Sequence, residues 1–208
     1  GNALSRLQRH EDALESYDRA LALQPRHAEA LHNRGITTRK LGRLEDSLKS
    51  HDKALGLRPD YLEALVGRGI TLHDLKRLDE ALASYDRAIA LQAGHVEAFI
   101  NRGAVLHELG RSDEALKSFE GALALQPDNV EALTNSGVVL HDVARYDEAL
   151  ASHERAVAAR PGDAAALNNR GITLHKLRRL GEALASIDSA LAARSDYVEA
   201  LANRGIVL

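Results

Sequence analysis

Two polar residue types recur in this sequence at one fixed interval, and each could carry chemistry. Histidine stands at His73, His107, His141 and His175, with Arg39 one interval earlier. Imidazoles in register suggest a metal site, a polar, pH-responsive surface or simple packing between helices. Asparagine stands at Asn33, Asn101, Asn135, Asn169 and Asn203, interrupted only by Gly67. A carboxamide offers a donor and an acceptor together, the pair needed to hold a peptide group irrespective of its side chain, or to bond a neighbouring helix or water. A third series is apolar: Ile36, Ile70, Ala104, Val138 and Ile172. Exposed, it would give a ligand something to bury against; turned toward the next element, it would be core.

The interval belongs to the whole chain. Glycine recurs at Gly1, Gly35, Gly69, Gly103, Gly137, Gly171 and Gly205, a constant step of 34 residues with no insertion or deletion. Alanine keeps the step at Ala20, Ala54, Ala88, Ala122, Ala156 and Ala190, and arginine keeps it at Arg9, Arg43, Arg77, Arg111, Arg145 and Arg179. Such self-similarity predicts a stacked array. The stretch Val96–Asn129 shows the unit. Ala98, Phe99, Leu106 and Leu109 fall on one face of a first helix, and Ala115, Leu116, Phe119, Ala122 and Leu123 on one face of a second. Gly110, Arg111 and Ser112 break the two apart. Asp113 and Glu114 favour the second helix's dipole, and Pro127 ends it.

This register divides the 208 residues into one all-α array: a partial repeat 1–27, whole repeats 28–61, 62–95, 96–129, 130–163 and 164–197, and a partial repeat 198–208. In each first helix a small residue and then the glycine allow close helix approach. Leu48, Leu82, Leu116, Leu150 and Leu184 supply bulk in the second. First helices of successive repeats should lie roughly 8–10 Å apart or more, whereas zinc needs nitrogens within about 2.1 Å of one ion, so the histidine series argues against a metal.

Composition removes other function classes. A net charge of -3 gives no basic field for nucleic acid or an anionic membrane. Cysteine is absent, so there is no disulfide framework, thiolate metal site or catalytic thiol. No apolar run approaches the ~20 residues of a membrane span, and the opening residues do not resemble a signal peptide; a soluble, cytoplasmic protein is expected. With no initial Met and a start inside a helical pattern, the chain reads as a piece of something longer. No Gly-rich phosphate loop, His-Glu-x-x-His pair or nucleophile elbow appears. Glu63, Glu97 and Glu131 begin first helices, where they are dipole partners and not an acid–base pair. The chain is expected to be no enzyme by itself and to need no cofactor.

The pattern resembles the tetratricopeptide repeat family over essentially the whole chain, through Leu31, Gly35, Ala54 and Pro59 in one repeat and Phe99, Gly103, Ala115, Phe119, Ala122 and Pro127 in another. Departures are local: Ser47 replaces the usual alanine, Ala93-Gly94 and Ser195 stand at proline positions, and Arg34, Arg68, Arg102 and Arg170 precede the glycine where the family often has leucine. The RNA-binding pentatricopeptide family fits the small-residue and proline positions poorly. The resemblance implies a right-handed superhelical solenoid whose first helices line a concave groove, so the asparagine and histidine series become candidate contacts to a protein or peptide partner. The Asn-Arg-Gly and Pro-Asp pattern also looks like the arrays attached to O-linked N-acetylglucosamine transferases and SPINDLY-like proteins, which implies an alternative role as the substrate-recruiting arm of a glycosyltransferase. Their second common asparagine is here the apolar series. Chaperone-tail-binding relatives use lysines, arginine and asparagines to clamp a carboxylate; His32, Ile36, Val66 and Ile70 occupy those positions here. Incomplete repeats at both ends further suggest head-to-tail self-stacking.

Overall fold

The computed structural model describes residues 9–208; residues 1–8, with Gly1 and the start of the first partial repeat, lie outside them. The described residues form twelve α-helices and no strand: α1 His10–Leu23, α2 Ala28–Lys40, α3 Leu44–Leu57, α4 Leu62–Asp74, α5 Leu78–Leu91, α6 Val96–Glu108, α7 Ser112–Leu125, α8 Val130–Asp142, α9 Tyr146–Ala159, α10 Ala164–Lys176, α11 Leu180–Ala193 and α12 Val198–Val207. Even-numbered helices from α2 to α12 are first helices of a repeat, and odd-numbered ones are second helices.

Several helix starts have a local cause. First helices α2, α6, α8 and α10 are capped by a side chain that accepts from a backbone N–H three residues on: His27 from Ala30, His95 from Ala98, Asn129 from Ala132 and Asp163 from Ala166. Second helices begin differently. Before α5, α9 and α11 the recurring arginine forks onto a first-turn carboxylate, Arg77 with Glu80 at 2.7 and 2.9 Å, Arg145 with Glu148 at 2.7 and 2.6 Å, and Arg179 with Glu182 at 2.7 and 2.6 Å, whereas Arg43 before α3 reaches Glu11 of α1 at 3.0 Å. That fork holds each carboxyl below its usual range.

The chain folds as two compact units, one ending at Val105 and the other beginning at Leu106. Within each, a first helix packs on its own second helix and on the preceding one. First helices also touch directly, α2 with α4 in the first unit and α8 with α10 and α10 with α12 in the second, whereas among the described residues of either unit successive second helices make no comparable contact. First helices therefore form the closer-packed layer of each short solenoid. Alanines fill its seams: Ala54, Ala64, Ala81 and Ala88 in the first unit and Ala132, Ala156, Ala166 and Ala190 in the second are all fully buried.

The recurring glycine makes room for a ring. A Cβ added to Gly35 would stand 2.7 Å from His51 Cε1, one on Gly69 2.5 Å from Tyr85 Cε1, and one on Gly137 2.4 Å from His153 Cε1; on Gly171 it would meet Ile187 at 2.5 Å. Large side chain and missing side chain are thus sixteen residues apart in the same repeat. The arginine before the glycine ties three helices. Arg34 on α2 donates to Asp18 of α1 at 2.6 Å and to Ser50 of α3 at 2.7 Å, and Arg68 on α4 repeats this with Asp52 and Ser84.

Candidate functional site

The asparagine series lies on the first helices and is half-buried throughout. Its members are not equivalent. Asn203 on α12 donates through Nδ2 to Oδ1 of Asn168 on α10 at 3.0 Å, and Asn168 is only 3% exposed. That carboxamide bonds a neighbouring helix. Among the described residues, the side chains of Asn33, Asn101, Asn135 and Asn169 make no hydrogen bond, leaving donor and acceptor open at a half-buried surface.

The histidine series is partly spent between repeats. His107 bonds Asp142 through Nε2 at 2.9 Å, and Arg39, at the same register, donates to Asp74 at 3.0 Å. Each bond joins a first helix to the next one. The His141 ring meets Tyr146 edge-on at 5.3 Å between centroids, and its Nδ1 lies 3.5 Å from Asp142. His73 and His175 are half-buried. Among the described residues no three His, Asp or Glu side chains converge as a metal ion requires.

In the first unit a cavity of about 250 Å³ opens between α2 and α4. Ile36, Val66 and Ile70 form its apolar wall, so part of the apolar series faces neither core nor open solvent. Gly67, the gap in the asparagine series, lines the cavity because His51 fills the adjacent space: a Cβ on Gly67 would stand 2.6 Å from His51 Cε1, 3.0 Å from Nε2 and 3.3 Å from Nδ1. His51 is fully buried, and among the described residues neither ring nitrogen has a hydrogen-bond partner. His32 beside it, 5.3 Å away between centroids, is 8% exposed with Nδ1 also unpartnered. An unpaired buried polar group costs roughly 1–3 kcal/mol, so these nitrogens weigh against the fold.

Desolvation pushes the His51 imidazolium down to about 3, with His32, Arg39 and Arg68 adding positive charge in the same direction. It also lowers His32, against the pull of Glu63. Both rings are neutral at physiological pH, each with one N–H and one lone pair. His153, at the register of His51 in the second unit, is held down to about 4, again by burial first and then by His141; its Nδ1 is buried and, among the described residues, unpartnered.

Reading the periodic surface of the first helices overlooks these histidines, because they sit beneath it. The signal was present: the register that holds His51 and His153 holds Tyr85, Phe119 and Ile187 elsewhere, and a titratable ring in an apolar register is buried without a charge.

Hairpins of constant length, stacked through their first helices with a glycine under the large side chains His51, Tyr85, His153 and Ile187, define a helical repeat protein. The sequence profile of the tetratricopeptide repeat matches residues 26–94, 60–128 and 94–162, and related profiles of the same repeat match 1–38 and 140–198. The chain belongs to the tetratricopeptide repeat family. Its backbone is similar to YrrB, described as a TPR protein with an unusual peptide-binding site, at TM-score 0.70 and 26% identity over 92% of this chain and 99% of that one. A tetratricopeptide repeat protein from Parabacteroides merdae aligns at TM-score 0.83 and 20% identity over 99% of this chain and 82% of its own. MamA aligns at 0.71 and 22% over 77% and 94%. No curated protein sequence matches the chain. These matches lend no support to the expected likeness to glycosyltransferase arrays.

Proposed function

We propose that this chain is a non-catalytic interaction module that holds an extended peptide of a protein partner along its first helices. Tetratricopeptide repeat proteins generally mediate protein–protein interaction, and the peptide-binding site named for YrrB supports the same class of partner here. Among the described residues no helix is long and apolar enough to cross a membrane. The observation that carries the reading is the set of unbonded carboxamides at Asn33, Asn101, Asn135 and Asn169. Each can donate to one peptide carbonyl and accept from one peptide N–H, so recognition is of backbone, with selectivity left to what surrounds it. His73, His107, His141 and His175 form the polar flank, and Asn203 contributes least because Asn168 already holds it.

The test uses peptides selected on this chain from a random library. Replacing Asn101, Asn135 and Asn169 together by Ala removes several hydrogen bonds of ~0.5–1.5 kcal/mol each, so affinity falls by at least about tenfold while the helical spectrum and unfolding midpoint hold. Unchanged affinity in the triple variant overturns the proposal.

A further inference from the structure

The cavity between α2 and α4 has a composition that specifies an occupant. At about 250 Å³ it is smaller than the roughly 300–1,000 Å³ of small-molecule sites, which suits one side chain of a bound segment. Its walls are aliphatic at Ile36, Val66 and Ile70, and its depth is polar at His51 and His32, where three nitrogens lack partners. A matching group has an apolar body and a single polar tip that both donates and accepts.

Charge at the two ends of the cavity excludes ions. Glu63 and Glu97 stand at the rim as exposed carboxylates and repel an anion, while the one guanidinium there, Arg39, is engaged by Asp74 at 3.0 Å. At the bottom, the burial that holds His51 and His32 neutral equally penalises an ammonium group. Among neutral groups, a hydroxyl on a ring joins such a tip to an apolar body that suits Ile36, Val66 and Ile70.

We propose that the cavity takes a tyrosine side chain of the bound segment, its ring between Ile36, Val66 and Ile70 and its phenol hydroxyl bonded to His51. This rests on the peptide reading above and adds a side-chain requirement to it. Gly67 is the residue that admits the ring: an asparagine here, as elsewhere in the series, would fill the opening. The unpaired nitrogens then have a use, since the hydroxyl donates to the imidazole lone pair or accepts its N–H.

The test needs no peptide. p-Cresol, toluene and p-tolyl phosphate are titrated into the whole chain while the imidazole signals of His32 and His51 and the methyl signals of Ile36 and Ile70 are followed by NMR. p-Cresol is expected to saturate these shifts with at least about fivefold higher affinity than toluene, and p-tolyl phosphate to leave them in place. In His51→Phe, whose ring type already occupies this register at Phe119, the preference for p-cresol over toluene disappears. No saturable shift with p-cresol, equal affinity for toluene, binding of the phosphate in the same place, or a preference that survives His51→Phe each overturns the proposal. Failure of the asparagine triple variant to weaken selected peptides, with p-cresol bound as described, sinks the backbone reading alone; ladder-dependent peptides with no p-cresol binding sink the pocket alone.

Discussion

Two residue pairs at the same register separate the two units. In the second, Asn203 and Asn168 bond each other across neighbouring first helices at 3.0 Å. In the first, those positions hold Gly67 and His32. Glycine has no side-chain amide to give, so His32 Nδ1 stays unpartnered and a cavity opens over His51. Where Thr134 precedes it at the same spacing, Asn169 stays unbonded. One recurring position thus does three things: it ties helices at Asn203, presents a free carboxamide at Asn169 and makes an opening at Gly67. The repeat supplies the scaffold, and the pairing between one repeat and the next decides what each position is for.

The largest effect separating these surroundings is pH-dependent stability. His51 and His153 are fully or almost fully buried and neutral in the folded chain, and both take a proton at the ordinary value of 6.5 once unfolded. Because their folded values are depressed, the unfolded chain binds more protons below 6.5, and stability is lost as pH falls from there toward about 3 for His51 and about 4 for His153. By pH 5 each contributes about 2 kcal/mol of loss. Urea unfolding at pH 7.5 and pH 5 measures it. His51→Phe and His153→Phe should each remove about 2 kcal/mol of the pH-dependent loss, with buried His32 adding to what remains, and His51→Phe should be the more stabilising at pH 7.5 because it eliminates two buried unpaired nitrogens against one. Equal stability of the parent at the two pH values contradicts this reading.

A smaller effect tests the opening itself. The His51 ring lies against both Gly35 and Gly67, with Cβ positions 2.7 and 2.6 Å from its Cε1. Gly67→Ala should therefore cost about 1–3 kcal/mol by overpacking a ring that has little room to move. Thermal unfolding shows it; an unchanged midpoint means that the ring can turn aside, and that Gly67 is not what sets its position.

Much of the scaffold was legible in the amino-acid pattern alone. A step of 34 residues without an insertion defines the helix pairs and the faces they bury, since glycine, alanine and leucine positions leave one consistent packing. The arginines before the glycine read only as departures from the family, because their role depends on Asp18, Asp52, Ser50 and Ser84, which lie on other helices. The asparagine series was legible as a series. Which members are free was not: that depends on the residue 35 positions earlier, Asn168 in the case of Asn203, and periodicity within one repeat carries no such information. The apolar series read equally well as core or contact, and Ile36 and Ile70 prove half-buried on a cavity wall.

The most direct measurement compares one residue type in two neighbouring repeats. A peptide selected on this chain is titrated by calorimetry against Asn169→Ala and Asn203→Ala, and both variants are unfolded thermally. Asn169 is unbonded in the folded chain, so its loss should weaken the peptide about tenfold, the equivalent of about two hydrogen bonds, without moving the midpoint. Asn203 is engaged by Asn168, so its loss should lower stability by about 1 kcal/mol and leave affinity unchanged. Equal affinity losses at the two positions, or none at Asn169, would contradict the account that free carboxamides on the first helices hold the partner.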